Sequence, residues 1–233
     1  MPWGTAANRV PRPVSRPSAI HQKRSGRLRP VADVKRSAYD ERMLAAGYLL
    51  KRIAPPPGWL DGGQNHIQNV CSVADCVNDN VVDAQEAWQH NSFGVSNTPE
   101  TLTAMAVEKG LDLDGAVLFY YTAYEYELPS DGWTFDPSQW RARTPAPSSF
   151  VTDAVEIPPE GSLTLLGYDV VVFEDYLGHS PLSCNSIAKS LRVNEHCLLD
   201  TLEEAVAAID GGAFGGGCEE GFYTIFSVYR MDC

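Results

Sequence analysis

The residues best suited to chemistry lie between positions 179 and 196. His179-Ser180-Pro181 leads into Cys184-Asn185, and His196 follows Cys184 by twelve residues. A hydroxyl residue followed by proline is typical of a helix start. We therefore expect Cys184 in the first turn of a helix, where free backbone N–H groups favour a thiolate. This arrangement predicts a hydrolase or transferase with Cys184 as nucleophile and His179 or His196 as general base.

The same residues have two other interpretations. A cysteine at a helix start is more often a packed side chain, and no local signature of a cysteine protease accompanies this one. A zinc site needs thiolate and imidazole ligands that converge tetrahedrally from short spacings. The metal candidates would be His179, Cys184, His196, Cys197 and Cys218, with the pair Cys71 and Cys76. Four residues separate that pair, which is at the edge of the usual spacing, so we predict no metal and no cofactor.

The cysteines and the hydropathy pattern bear on the compartment. The first 42 residues lack the apolar core of a secretory signal, and no apolar run approaches the length of a membrane-spanning helix. We expect a cytoplasmic protein without a membrane segment. In a reducing cytosol its six cysteines would be free thiols, mostly buried as small apolar side chains.

The formal net charge of −12 is the sum of two unlike pieces. Residues 1–42 carry ten basic and three acidic side chains, or +7, which leaves eight basic and 27 acidic side chains, or −19, for residues 43–233. Prolines and the scarcity of large apolar residues predict a disordered basic arm over 1–42, followed by an acidic globular domain over 43–233. Nucleic acid could bind only the arm, because the acidic domain repels phosphate.

An acidic domain attracts basic partners and binds them faster. We therefore predict a protein-binding module, of the immunity or inhibitor type, that covers a basic protein. Aromatic side chains would supply most of the binding energy. The candidate anchors are Tyr120, Tyr124, Tyr126, Trp133 and Trp140. For each of them, burial in the core is the alternative.

The predicted helices and strands, which must position these residues, follow one another in an irregular order. Helices are predicted at 81–90, 98–109, 180–191 and 201–209, and strands at 48–54, 116–128, 167–173 and 222–230. This mixture predicts an α+β fold: a single globular domain with a mixed or mainly antiparallel sheet and three to four helices. The sequence shows no internal repeat.

Four segments resemble an uncharacterised family of small bacterial proteins. They are YLLKRIAPPPGWL at 48–60, VCSVADCVNDN at 70–80, SPLSCN at 180–185 and NEHCLLDTLEEA at 194–205. The resemblance covers most of residues 44–230 and leaves out the basic arm. It implies that this stretch is one unit in a bacterial cytosolic protein, and it brings no activity with it.

Overall fold

The computed structural model describes residues 42–60, 63, 66–74, 76–77, 79–82, 91–132, 135–143, 154–174 and 177–232. The basic arm up to residue 41 lies outside these residues, as do most of the helix predicted at 81–90, Trp133 and Cys233. Within the described part of the chain, no helix is long and apolar enough to span a membrane.

One seven-stranded antiparallel sheet dominates the structure. Its strands are β1 (Met43–Arg52), β2 (Asp79–Asn80), β3 (Ala116–Ser130), β4 (Arg141–Ala142), β5 (Leu163–Glu174), β6 (Leu177–His179) and β7 (Gly221–Met231). Their order is β2-β1-β3-β7-β5-β6, and β4 also pairs with β3. The four long strands confirm the four segments predicted as strands, because those segments are rich in β-branched and aromatic residues.

Two α-helices accompany the sheet, α1 (Pro99–Glu108) and α2 (Leu202–Asp210). Thr98 caps α1 by accepting a hydrogen bond from the N–H of Thr101, and Thr201 caps α2 by accepting one from Glu204. The sequence predicted the first start from Thr98-Pro99 and left Asp200 and Thr201 as alternative caps of the second, and both helix starts are confirmed.

The predicted α+β class with three to four helices is wrong, because the described residues form a mainly antiparallel β fold with two α-helices. The helix predicted at 180–191 is replaced by turns and a 3₁₀ helix, Ile187–Lys189. The hydroxyl of Ser180 bonds to the carboxylate of Asp169 instead of capping a helix. Ser186 has φ +62°, which a right-handed helix does not allow. Side-chain bonds of this kind compete with helix formation in a serine-rich segment.

The helices cover one face of the sheet and loops cover the other. Tyr120 of β3 packs with α1, while its neighbour Tyr121 belongs to a separate cluster with Phe226. Ile225 of β7, next to Phe226, packs with α2. Because side chains alternate along a strand, the two clusters that include the helices lie on one face of the sheet, and the cluster of Tyr121 and Phe226 lies on the other. Loop residues Cys71, Val73, Phe93, Val95 and Leu198 close the face that lacks helices.

The sheet consists of two similar halves. In each half a long strand, a long loop, a helix and a second long strand follow one another: β1, α1 and β3, then β5, α2 and β7. The central pair β3–β7 joins Phe119 to Arg230, Tyr121 to Val228 and Ala123 to Phe226. Gly47 of β1 pairs with Tyr121 and Gly167 of β5 pairs with Val228, so the equivalent residues Tyr121 and Val228 face each other across a pseudo-twofold axis between β3 and β7. The structure thus contains an internal repeat that the sequence analysis did not find.

The loops before the helices repeat the same hydrogen bonds. The side-chain amide of Asn91 donates to the carbonyl of Ala46, and that of Asn194 donates to the carbonyl of Leu166. Each acceptor precedes a glycine at a β-bulge, Gly47 or Gly167. Each asparagine also accepts the backbone N–H two residues later through Oδ1. In sequence the two halves share a Gly-Tyr pair and the pattern Asn-x6-Thr-x-Glu. These identities are too few to reveal the repeat from the sequence.

Replacing the bulge glycine of the second half should destabilise the protein strongly. Gly167 has φ +145°, and an added Cβ would lie 2.7 Å from the carbonyl oxygen of Leu199. We expect Gly167→Ala to lower the free energy of unfolding by about 3 kcal/mol, since strain and a backbone clash combine. Gly161 also has positive φ, +82°, but faces open space, so Gly161→Ala should cost about 1 kcal/mol. If chemical denaturation showed the same loss of unfolding free energy for Gly167→Ala and Gly161→Ala, this account would be contradicted.

Candidate functional site

Two cysteines and a histidine from distant parts of the chain come together. Cys76 and Cys184 are bonded as a disulfide across 108 residues, with their Cα atoms 6.1 Å apart. One ring nitrogen of His179 and the two sulfur atoms all lie within 4.8 Å of one another. The group combines two sulfur atoms with an imidazole. Proteins commonly use these groups for thiol chemistry or for binding a soft metal ion.

Glu219 adds a carboxylate to this group. Its Oε1 lies 3.9 Å from Nδ1 of His179 and accepts a hydrogen bond from the side-chain amide of Asn185. That amide also donates to the carbonyl of Gly217. Oε2 of Glu219 is buried and has no hydrogen-bond partner among the described residues. We call Cys76, His179, Cys184 and Glu219 the thiol–histidine cluster.

Two buried charged residues, Lys51 and Asp169, position the loop that carries Cys76. Lys51 of β1 and Asp169 of β5 are 1% and 0% exposed. The ammonium of Lys51 donates to the carbonyls of residues 72, 73 and 74 at 2.8, 3.0 and 3.2 Å. Oδ2 of Asp169 accepts from the hydroxyl of Ser72 at 2.7 Å and from the N–H of Val73 at 2.9 Å. The segment 72–74 is therefore held between two strands that are not neighbours in the sheet.

The same carboxylate positions the loop that carries Cys184. Oδ1 of Asp169 accepts a hydrogen bond of 2.5 Å from the hydroxyl of Ser180, which follows His179 directly. Burial raises the pKa of Asp169, while the bonds from Ser180, Ser72 and Val73 and the charge of Lys51 act in the opposite direction. One side chain thus anchors both cysteine-bearing loops.

The structure separates the two histidines proposed as bases for Cys184. His179 lies beside Cys184, whereas Nδ1 of His196 lies 2.8 Å from Oδ1 of Asn69. Nε2 of His196 is 3.9 Å from Glu195, and burial lowers the pKa of the imidazole. Cys184 itself sits in a turn and is half-buried, so the expected helix start is absent at this position.

The remaining described cysteines are packed side chains. Cys71, Cys197 and Cys218 are free and buried, as the sequence predicted for most of the cysteines. Burial raises their thiol pKa values to about 11, 12 and 11, so they are protonated near neutral pH. The expectation of six free thiols is wrong for Cys76 and Cys184, because the fold brings these two distant residues together and no local signal in the sequence marks the pair.

The aromatic residues predicted as binding anchors take several positions. Tyr120 is buried against Tyr48, and Tyr124 is buried against Trp140. For Tyr120 and Tyr124, the structure therefore agrees with the alternative interpretation, which was burial in the core. Tyr126 and Trp140 are half-buried, and the indole N–H of Trp140 donates to Asp210 at 2.8 Å. Trp133 lies outside the described residues.

An exposed apolar stretch lies at the end of α1 and in the turn that follows it. Val107, Leu111 and Leu113 are 69%, 36% and 38% exposed. The intervening Glu108, Asp112 and Asp114 are exposed as well. We call this stretch the 107–114 surface. Sequence reasoning missed it because we searched for aromatic anchors, whereas these apolar residues are aliphatic.

Hydrogen bonds hold the 107–114 surface in one shape. The guanidinium of Arg52, at the end of β1, donates to the carbonyls of Asp112 and Asp114 at 2.5 and 3.2 Å. Oδ1 of Asp112 accepts from the N–H of Asp114 at 2.9 Å, and the N–H of Leu111 donates to the carbonyl of Ala106 at 2.8 Å. The turn is thereby fixed to the sheet.

An open polar cleft of about 570 Å³ occupies a further part of the described surface. Its lining includes His66, Arg192, Glu195 and Asp200. The candidate nucleophile Cys184 and the candidate bases His179 and His196 are not part of its lining, and neither are Cys76 and Glu219.

Comparison with known proteins adds no function to this geometry: no family model, no curated protein and no solved structure matches the chain.

Removing the buried ammonium should destabilise the protein. Lys51→Met leaves the buried carbonyls of residues 72, 73 and 74 without the donor that they bind, so we expect the free energy of unfolding to fall by about 3 kcal/mol. The double variant Lys51→Met/Asp169→Asn should lose less than the sum of the two single variants. Lys109→Met, at an exposed lysine, should change stability by less than about 0.5 kcal/mol. Strict additivity of the two single variants would show that the charges do not interact.

Proposed function

We propose that this protein is an acidic protein-binding module, of the inhibitor or immunity type, that covers a basic partner with its 107–114 surface. The observation that carries the proposal is the exposure of Val107, Leu111 and Leu113 among acidic side chains. The proposal places the contact on aliphatic rather than aromatic residues.

The composition of the surface supports binding to a basic protein. Clustered exposed apolar residues are a feature of interaction sites, since their burial supplies binding energy. The stretch carries three acidic side chains, Glu108, Asp112 and Asp114, against one basic side chain, Lys109, and this excess would steer a positively charged partner into contact. The excess of acidic residues over the whole of 43–233, −19 in net charge, acts in the same direction at longer range.

The fixed shape of the surface also supports the proposal. Because Arg52 and Asp112 already hold the turn, little conformational entropy would be lost when a partner binds. The bonds to Arg52 use the backbone carbonyls of Asp112 and Asp114. The apolar side chains of the surface remain exposed.

The cysteine-nucleophile alternative has weaker support. Cys184 is bonded to Cys76, and its segment forms no helix whose N-terminus would stabilise a thiolate. The neighbouring His179 is the one feature that fits such an enzyme.

The first test uses the partner captured from the native host by the tagged full chain. The captured protein is identified, purified and titrated calorimetrically with wild type and with Val107→Ser/Leu111→Ser. We expect a partner of basic isoelectric point and at least about tenfold weaker binding by the variant, since two apolar contacts are lost. Ile157→Ser is the matched control, because Ile157 is exposed outside this surface, and it should bind like wild type. The proposal would be refuted if the partner were acidic, or if Val107→Ser/Leu111→Ser bound the partner as tightly as Ile157→Ser does.

The second test concerns the acidic side chains. Asp112→Asn/Asp114→Asn keeps the size of both side chains and an oxygen at position 112 for the turn. With the same partner, the association rate of wild type should fall steeply as salt rises from about 50 to 500 mM, since ions screen the attraction. The variant should associate more slowly at low salt and show a shallower salt dependence. Identical salt dependence of the two proteins would exclude electrostatic steering by this surface.

A further inference from the structure

The thiol–histidine cluster has the composition and spacing of a zinc site. In a tetrahedral zinc centre the sulfur ligands lie at about 2.3 Å and the nitrogen ligands at about 2.0 Å from the ion, so neighbouring ligand atoms are less than about 4 Å apart. The two sulfurs and a ring nitrogen of His179 already lie within 4.8 Å of one another. Small side-chain movements would bring them to these distances. We propose that the dithiol form of this protein binds one Zn²⁺ through Cys76, His179 and Cys184, with Glu219 as the fourth ligand.

The carboxylate of Glu219 provides independent support. Oε2 is buried and has no hydrogen-bond partner among the described residues. Buried carboxylate oxygens are nearly always satisfied, so this atom lacks an expected partner. Oε1 faces His179 and is held by Asn185. Rotation of this carboxylate toward a cation held by His179 and the two cysteines would give the buried oxygen a partner.

The ligand types select the metal. Two thiolates and an imidazole favour zinc and other soft or borderline ions over magnesium and calcium, which prefer oxygen ligands. Cys218, next in sequence to Glu219, lies outside the group of Cys76, His179 and Cys184.

The disulfide and the metal are alternative states of the same two sulfurs. A dithiol reductant would transfer two electrons and two protons to the Cys76–Cys184 bond and would itself become a disulfide. Zn²⁺ would then displace one proton from each cysteine and bind two thiolates. Either state joins the loop carrying Cys76 to the loop carrying His179 and Cys184, and both loops are anchored on Asp169.

The binding test uses the full chain, reduced under nitrogen with a phosphine reductant and freed of metal by a chelator. Titration with Zn²⁺ against a chromophoric chelator should give one ion per chain. Titration with Co²⁺ should give the near-ultraviolet charge-transfer band of cobalt–thiolate bonds and the visible bands of tetrahedral cobalt. Failure of the reduced wild type to bind a stoichiometric metal ion, or a cobalt spectrum without the thiolate band, would overturn the proposal.

Variants assign the ligands. Cys76→Ser and Cys184→Ser should each weaken Zn²⁺ binding at least 100-fold, and His179→Gln and Glu219→Gln at least tenfold. Cys71→Ala removes a cysteine outside the cluster, and Val107→Ser/Leu111→Ser alters only the 107–114 surface, so both should bind like wild type. This second control keeps the metal test independent of the proposed partner. Wild-type affinity in Cys184→Ser would refute the site.

A measurement on wild type alone guards against variants that fail to fold. The reduced protein is alkylated with and without Zn²⁺, and the modified cysteines are mapped by mass spectrometry. Zn²⁺ should slow the modification of Cys76 and Cys184 at least tenfold and leave the rates at Cys71, Cys197 and Cys218 unchanged. Unchanged rates at Cys76 and Cys184 would overturn the proposal.

Discussion

The hydrogen bonds that the buried side chains of Lys51 and Asp169 make to segment 72–74 are the interactions on which the rest of the structure depends. Two charges without access to water are tolerated only when each is fully hydrogen-bonded. Here the short segment 72–74 satisfies both, since its carbonyls bind the ammonium while a hydroxyl and an N–H bind the carboxylate. The segment therefore has one position in which neither charge is left unsatisfied. That position determines where Cys76 lies.

The pair also breaks the pseudo-twofold symmetry of the sheet. With Gly47 equivalent to Gly167, Lys51 corresponds to Val171, and Asp169 corresponds to Leu49. In each case a charged residue in one half stands where the other half has an apolar residue. The repeated features are the bulges, the asparagine loops, the helix caps and the central strand pairing, which together build the frame. The thiol–histidine cluster lies at the end of β6, in the turns after it and in the loops that carry Cys76 and Glu219.

The two features with functional potential rest on different parts of the frame. The 107–114 surface is fixed to the end of β1 by Arg52, whereas the cluster is held by the loops that Asp169 anchors. A surface for a partner needs exposed apolar area on a rigid turn. A metal or disulfide site needs ligands from distant segments, held at short distances. The chain meets both requirements without sharing a residue between them.

The sequence by itself determined the local features of the fold. The aromatic and β-favouring residues of 116–128 and the continuous apolar residues of 222–230 predicted long strands. Thr98-Pro99 and the pair Asp200 and Thr201 predicted two helix starts, because these signals act between neighbouring residues. The same local reasoning failed at Ser180-Pro181. The hydroxyl that would have capped a helix is bound instead by Asp169, eleven residues earlier. The fold class was wrong for this reason among others: long loops held by side-chain hydrogen bonds replaced predicted helix.

Only the tertiary structure decided which chemical groups meet. His179 and His196 are equally plausible partners of Cys184 by spacing, yet only His179 lies beside it. Cys76 reaches Cys184 across 108 residues because Lys51 and Asp169 hold the intervening loop. Tyr120 and Tyr124 are packed inside, while the aliphatic residues of 107–114 are exposed. Residue type and spacing restrict the chemistry that a chain can perform, but contacts between distant segments depend on the free energy of packing the whole sheet.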